Sequence, residues 1–204
     1  MSAEEDAARH RAKMEKRKAV QDAEVASKGI VSKGLLMVHT GPGKGKSTAA
    51  FGLALRALGH GWRVGVVQFG KGAWQSGERT MLERLGDDEL SWHTLGEGFT
   101  WETQDRARDE AAARRAWEKA QELMAAPDMR LVVLDELNIA LRYDHLPLEE
   151  VIAALKARRP DLHVVVTGRN AKPEMIAAAD LVTEMTLVKH HFAAGVKAQE
   201  GIEF

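Results

Sequence analysis

The segment LMVHTGPGKGKST, residues 36–48, runs from an apolar stretch through a glycine-rich turn into a helix-forming stretch. Glycines let the backbone wrap closely around phosphate oxygens, and the start of the following helix adds positive potential. The ending Gly45-Lys46-Ser47 supplies an ammonium group for the β- and γ-phosphates and a hydroxyl for Mg²⁺. We therefore expect a nucleotide-phosphate loop made of Gly41, Pro42, Gly43, Lys44, Gly45, Lys46, Ser47 and Thr48.

The start of this loop departs from the usual spacing. The common pattern has its first glycine at position 40, where this chain has Thr40, and the nearest glycine is Gly41. The strand before the loop and the helix after it still favour a phosphate loop over an ordinary tight connection. How the phosphates are seated stays open.

Apolar runs alternate with helical stretches along the rest of the chain. Strands are predicted at Leu35–Thr40, Arg63–Phe69, Leu90–Leu95, Leu131–Asp135, His163–Thr167 and Leu181–Met185. The longer helices are predicted at Lys46–Leu58, Thr103–Ala126, Pro147–Arg158 and Pro173–Ala179. Continuous Val and Leu runs separated by helices indicate an α/β domain, with a mostly parallel sheet that helices cover on both faces.

Residues 1–28 have a different composition from residues 29–204. They contain no Gly or Pro and few large apolar side chains, so they predict a helix that cannot bury a face by itself. Such a segment is either a frayed tail that is solvated or disordered, or a helix that docks on something else. We expect a helical extension at 1–28 and a nucleotide-binding domain at 29–204.

Composition excludes several classes of function. The chain has no cysteine, which excludes disulfides, thiolate metal sites and a cysteine nucleophile. Its formal net charge is -1, so no global field attracts nucleic acid or a membrane surface. No apolar run is long enough to span a membrane, and the charged N-terminus does not resemble a signal peptide. We expect a cytoplasmic protein.

Further candidate ligands for the nucleotide follow the predicted strands. Asp135 and Glu136 end an apolar strand, where P-loop proteins place an acid that holds Mg²⁺, and the sequence leaves open which of them is the direct ligand. Arg169 and Lys71 follow two other strands and are candidate phosphate ligands, with an exposed surface role as the alternative for each. His190 and His191 are either nucleotide-site or exposed residues.

Aromatic residues are scarce, which makes the segment GFTWET, residues 98–103, conspicuous. Phe99 and Trp101 lie between glycine and polar residues beyond a predicted strand. They are expected either to face a ligand or partner, or to anchor the core.

The chain resembles the ATP:corrinoid adenosyltransferases of the P-loop, RecA-like type. Six blocks occur in the family's order: TGPGKGKSTAAFG (40–52), GWRVGVVQFGKG (61–72), GEGFTWETQD (96–105), VVLDEL (132–137), VVVTGR (164–169) and VKHHFAAGVKAQEGIEF (188–204). The third and sixth blocks are the most particular to the family. Pro42 and Ser47 stand where many members carry Asn and Thr, and Ser47 keeps the hydroxyl.

The resemblance implies a reaction in which cobalt(I) of a corrinoid attacks C5′ of ATP and expels triphosphate, during synthesis or salvage of the vitamin B12 coenzyme. Lys46 and Mg²⁺ (or Mn²⁺) would stabilise the leaving group. Phe99 and Trp101 would pack against the lower face of the corrin and keep cobalt four-coordinate, which raises its reduction potential.

The resemblance also implies a homodimer, a flavoprotein reductant, and an N-terminal helix that folds over the corrinoid. Two other functions share the phosphate loop and the acidic strand end: a RecA-like ATPase acting on nucleic acid, and a nucleotide sensor whose helix 1–28 binds a partner. The near-neutral charge disfavours the first.

Overall fold

The computed structural model describes residues 3–29, 33–70, 76–96 and 105–203. The chain divides into two units, Met1–Ser32 and Lys33–Phe204. The first unit contains helix α1 (Ala3–Ser27), whose described side chains are all exposed. The predicted N-terminal helix is therefore confirmed, and it buries no apolar face of its own. No helix within the described ranges has an apolar stretch that could cross a bilayer.

The second unit is built on a sheet of six parallel strands, as predicted. The strands are β1 (Leu36–Thr40), β2 (Arg63–Gln68), β3 (Leu90–Thr94), β4 (Met129–Asp135), β5 (His163–Thr167) and β6 (Leu181–Glu184). Their order in the sheet is β3-β2-β4-β5-β1-β6. Because all strands run the same way, the loops after β1, β4 and β5 leave the sheet at one edge, where open α/β sheets bind ligands.

Helices lie on both faces of the sheet, which confirms the predicted layers. The described helices are α2 (Lys46–Leu58), α3 (Gly77–Gly86), α4 (Arg106–Ala125), α5 (Leu137–Arg142), α6 (Leu148–Ala157) and α7 (Pro173–Ala178). Alternate strand residues point to opposite faces. Met37 and Val165 pack with α2 and α3 on one face, whereas Val38 and Val166 pack with α4 to α7 on the other.

Apart from shifts of one or two residues at the ends of strands and helices, the structure differs from the sequence prediction in three places. Helix α5 was not predicted, because Leu137–Arg142 is short and directly continues the strand β4 and its acidic end. Helix α4 begins at Arg106, since Asp105 caps it by accepting a hydrogen bond from the Arg108 amide at 3.1 Å. Strand β6 is exposed along all four residues, so none of the described helices covers the sheet at this edge.

Candidate nucleotide-binding site

The phosphate loop connects β1 to α2 and depends on two glycines with left-handed backbone. Gly41 has φ 93°, and a Cβ atom there would lie 2.5 Å from the Met185 carbonyl oxygen. Gly45, with φ 101°, turns the chain into α2. The Gly43 amide donates to the Met185 carbonyl oxygen at 2.6 Å. The first half of the loop is therefore packed against the segment after β6, and the second half, from Lys44 to Thr48, lines the cleft.

Lys46 is held inside the loop. Its side chain is only 6% exposed, and its ammonium group donates a hydrogen bond to the Gly43 carbonyl oxygen. Burial lowers the pKa of Lys46, the nearby Glu136 carboxylate partly opposes that shift, and Arg169 and Lys44 reinforce it. The loop thus keeps a poorly hydrated positive group in place before an anion arrives, which strengthens its interaction with phosphate.

Asp135 is fully buried at the end of β4. Its Oδ1 accepts a hydrogen bond from the Thr167 hydroxyl, and its Oδ2 accepts one from the Gln68 side-chain amide, each at 2.9 Å. The side-chain oxygen of Gln68, Oε1, accepts hydrogen bonds from the Thr94 hydroxyl at 2.9 Å and the Trp92 indole N–H at 3.2 Å. A chain of hydrogen bonds, partly buried at β3 and buried at Asp135, therefore crosses the carboxyl edge of the sheet from β3 to β5.

This chain of hydrogen bonds ends at Glu136. Because the Thr167 hydroxyl donates to Asp135, it can accept from the Glu136 backbone amide, and it does so at 2.9 Å. Glu136 adopts a left-handed conformation with φ 63° before α5 begins, and its side chain lines the cleft. The two adjacent acids therefore differ: Asp135 orients the backbone, and Glu136 faces the cleft together with the Ser47 hydroxyl. Hard oxygen donors of this kind suit Mg²⁺.

The cleft has a volume of about 660 Å³ and a strong excess of basic groups. Its basic lining residues are Lys44, Lys46, Arg142, Arg169, Lys189, His190 and His191, and its acidic ones are Glu78, Glu136 and Glu203. A site of this charge is suited to a polyanion such as a nucleotide triphosphate. Both Arg169 and the histidine pair, which the sequence left undecided, line this cleft.

The segment after β6 forms one wall of the cleft. Its Glu203 accepts a hydrogen bond from the Lys44 ammonium group at 2.7 Å, and His191 Nε2 lies 2.8 Å from its other oxygen. The described residues contain one group of three side chains whose possible metal-ligand atoms all lie within 4.8 Å of one another: His190, His191 and Glu203. However, the Phe192 amide donates to His190 Nδ1 at 3.1 Å, so in the neutral ring the proton occupies Nε2.

Several predicted site residues are not in the lining of the cleft. Gly41, Pro42 and Gly43 lie in the loop but do not line it. Lys71, Phe99 and Trp101 fall outside the residues that the structure describes.

Sequence reasoning overlooked other residues of the site. Gln68 and Thr167 looked like ordinary strand ends, although a polar residue closing an apolar strand was a usable signal. Arg142, Lys189, Glu78 and Glu203 line the cleft, and nothing in their spacing along the chain pointed to it.

Two family models match the chain. One, described as ATP:corrinoid adenosyltransferase BtuR/CobO/CobP, matches residues 32–204. The other, described as Cob(I)alamin adenosyltransferase N terminal, matches residues 1–25. Together they cover both units of the structure.

Full-length relatives agree with these matches. A corrinoid adenosyltransferase of Pseudomonas aeruginosa is 58% identical over 196 residues, which is 96% of this chain and 96% of the relative. One from Sinorhizobium sp is 55% identical over 99% of this chain and 94% of the relative. Corrinoid adenosyltransferase CobA of Salmonella typhimurium is 48% identical over 96% of this chain and 98% of the relative.

Proposed function

The chain belongs to the ATP:corrinoid adenosyltransferase family and transfers the adenosyl group of ATP to a corrinoid, and we propose that the basic cleft holds the triphosphate as the leaving group of this transfer. The observation that carries the proposal is the buried Lys46 ammonium group, fixed to the Gly43 carbonyl oxygen in a cleft that basic side chains dominate. The reaction serves the synthesis or salvage of the vitamin B12 coenzyme.

In the proposed step, the electron pair of cobalt(I) forms a bond to C5′ of ATP. The bond between C5′ and its oxygen breaks, and that electron pair leaves with triphosphate while cobalt is formally oxidised to cobalt(III). Since the metal is the nucleophile, no protein base is needed. The protein has to orient C5′ toward cobalt and to stabilise the charge that develops on the departing oxygen.

Lys46 is the residue we assign to that charge stabilisation. Lys44, Gly45, Ser47, Thr48 and Arg169 also line the cleft and would bind the phosphate oxygens. Gly41, Pro42 and Gly43 set the path of the loop, and Lys71 remains a candidate phosphate ligand on its sequence alone.

The oxygen donors of the cleft fit a divalent cation, Mg²⁺ or Mn²⁺. Ser47 and Glu136 would hold it, because both Asp135 oxygens already accept hydrogen bonds from Thr167 and Gln68. When bound, the cation supplies positive charge to the phosphate oxygens of the leaving group. Asp135 then contributes by fixing the backbone from which Glu136 extends.

The remaining assignments rest on family membership. Phe99 and Trp101 would pack against the corrin and leave cobalt four-coordinate, which eases reduction from cobalt(II). The N-terminal helix would cover the bound corrinoid, and the exposure of its side chains supports such a role. A homodimer, a flavoprotein reductant and a cytoplasmic location also belong to the proposal, and exposed Leu181 and Val182 on the edge strand β6 support the dimer.

The proposal is tested by anaerobic incubation of the protein with ATP, Mg²⁺ and a corrinoid reduced to cobalt(I). We expect a light-sensitive organocobalt product, followed through its visible spectrum, and no product when adenosine replaces ATP. ATP turnover in the absence of a corrinoid, stimulated by DNA or RNA and without an organocobalt product, would contradict the proposal in favour of an ATPase.

A further inference from the structure

The carboxylate of Glu203 lies against the phosphate loop, far along the chain from it. Lys44 donates to one of its oxygens at 2.7 Å, and the other oxygen lies 2.8 Å from His191 Nε2 but accepts no hydrogen bond. The Glu203 side chain is 16% exposed, compared with 55% for Lys44. The Glu203 carboxylate thus lies between two basic side chains of the cleft, Lys44 and His191.

The groups around this carboxylate are suited to an anion. Lys44 can only donate, and His190 presents its Nε2–H because its Nδ1 accepts from the Phe192 amide. Lys189 lines the same part of the cleft. Hydrogen bonding and charge from Lys44, with weaker contributions from His191 and His190, lower the pKa of Glu203. Donors therefore outnumber acceptors here, which disfavours a metal ion and favours an oxyanion.

We propose that Lys44 and His191 form an anion subsite for one phosphoryl group of the bound polyphosphate, which Glu203 occupies until the ligand displaces it. The proposal rests on the binding of triphosphate in this cleft. The Glu203 carboxylate accepts a hydrogen bond from Lys44 alone, whereas a phosphoryl group has three oxygens and more charge to offer to both Lys44 and His191. Binding of the ligand then releases the C-terminal segment from Lys44.

Competition of this kind has a measurable signature. Glu203→Gln keeps the size of the side chain and removes the charge that competes with phosphate, so it should tighten triphosphate binding. His191→Gln removes a donor that the phosphoryl group gains, so it should weaken binding. Neither change should alter the affinity for adenosine, because the subsite takes no part in binding the nucleoside.

The experiment is calorimetric titration of the untagged full chain with inorganic triphosphate and, separately, with adenosine, in the presence of Mg²⁺. We expect triphosphate to bind about 3–10-fold more tightly to Glu203→Gln and about 3–10-fold more weakly to His191→Gln. Glu200→Gln and His60→Gln are matched controls, since both residues are exposed and neither lines the cleft. Circular dichroism melting checks that each variant is folded.

Two results would overturn the proposal. Weaker triphosphate binding by Glu203→Gln would show that Glu203 holds Lys44 in its binding position and does not compete with the ligand. Unchanged binding by His191→Gln would remove the histidine from the subsite. If the unmodified protein itself bound no triphosphate, the proposed function would fail as well, and the wild-type titration reports that outcome separately from the variants.

Discussion

The Thr167 hydroxyl donates to the Asp135 carboxylate at 2.9 Å at the carboxyl edge of the sheet, and both residues are fully buried. The same oxygen accepts the Glu136 backbone amide at 2.9 Å. The Thr167 hydroxyl thus connects Asp135, which is buried, to Glu136, which lines the cleft. This contact links β5 to β4 and orients the residue that we assign to the metal.

Thr167→Val should both destabilise the fold and weaken activation by the metal. Valine has nearly the same shape, but it removes the hydroxyl that joins the Asp135 carboxylate to the Glu136 amide, and the loss of these buried hydrogen bonds costs about 1–3 kcal/mol. We expect that loss in urea unfolding, together with a higher Mg²⁺ concentration for half-maximal adenosylation. Thr167→Ser keeps the hydroxyl and serves as the control. If the Val and Ser variants need the same Mg²⁺ concentration, the Thr167 hydroxyl does not orient Glu136 for metal binding.

Glu136→Gln should mainly lower activity, whereas Asp135→Asn should mainly lower the free energy of unfolding. Loss of the Glu136 charge should lower activity about 10–100-fold through weaker metal binding, with little change in unfolding free energy. Asp135→Asn disturbs a fully buried acceptor of two hydrogen bonds and should mainly reduce stability. Activity is measured against Mg²⁺ concentration, and Glu174→Gln on the exposed start of α7 is the control. The reverse assignment holds if Asp135→Asn raises the Mg²⁺ requirement more than Glu136→Gln does.

Lys46→Met should abolish most activity while stabilising the ligand-free protein at neutral pH. Without the ammonium group that stabilises the departing triphosphate, the rate of adenosylation should fall about 10²–10³-fold. Burial lowers the Lys46 pKa from its ordinary value of 10.5, so the folded state binds its proton less tightly than the unfolded state does. The resulting destabilisation is present below the folded pKa and disappears as the pH rises toward 10.5.

The measurement for Lys46 is therefore a pair of thermal melting series over pH. Lys46→Met should melt at a higher temperature than the wild type at neutral pH. This difference should become smaller as the pH rises toward 10.5, the ordinary pKa of lysine. Lys46→Arg retains the charge and is the control. A stability difference that stays constant over this range would mean that the charge of Lys46 is not what destabilises the fold.

Gly41→Ala should be much more damaging than the same change in the following helix. The left-handed φ of 93° and the close Met185 carbonyl should together cost at least about 1–2 kcal/mol and shift the loop. Gly52→Ala is the matched control, because nothing lies within 4 Å of the position that its new methyl group would take and alanine favours a helix interior. Unfolding free energies and ATP affinity test both, and similar values for the two variants would contradict the role given to Gly41 in the loop.

Trp101→Ala should slow adenosylation more when the reaction starts from cobalt(II) with a reductant than when it starts from cobalt(I). The reason is that the ring is assigned to removal of an axial ligand, which matters for reduction and not for the later attack on C5′. Rates from the two starting states, measured in parallel, check this. If the rate falls by the same factor from both starting states, Trp101 contributes to corrinoid binding and not to the reduction of cobalt(II).

The sheet and its phosphate loop were predictable from the sequence because local patterns determine them. The run HVVVT gives β5 at His163–Thr167, and the loop residues lead directly into α2 at Lys46. By contrast, the roles of Asp135 and Glu136 depend on strand register. Gln68 lies opposite Asp135 in the parallel pair of β2 and β4, a relationship between residues 67 positions apart.

The C-terminal wall of the cleft was also beyond local reasoning. Lys44 and Glu203 are 159 positions apart, and only the packing of the segment after β6 on the loop brings them together. Helix α5, which begins at Leu137, escaped prediction for a related reason, since the residue before it, Glu136, is a non-glycine residue with left-handed backbone. Such a conformation is set by its partners, here Thr167, and not by its own preference.

The most direct test of the central claim is the phosphorus product of a single turnover. With enzyme in excess over ATP and a cobalt(I) corrinoid present, phosphorus-31 NMR should show one inorganic triphosphate for each adenosylated corrinoid formed. Release of ADP and phosphate, or of AMP and pyrophosphate, in place of intact triphosphate would contradict the claim that this cleft holds the three phosphoryl groups as one leaving group.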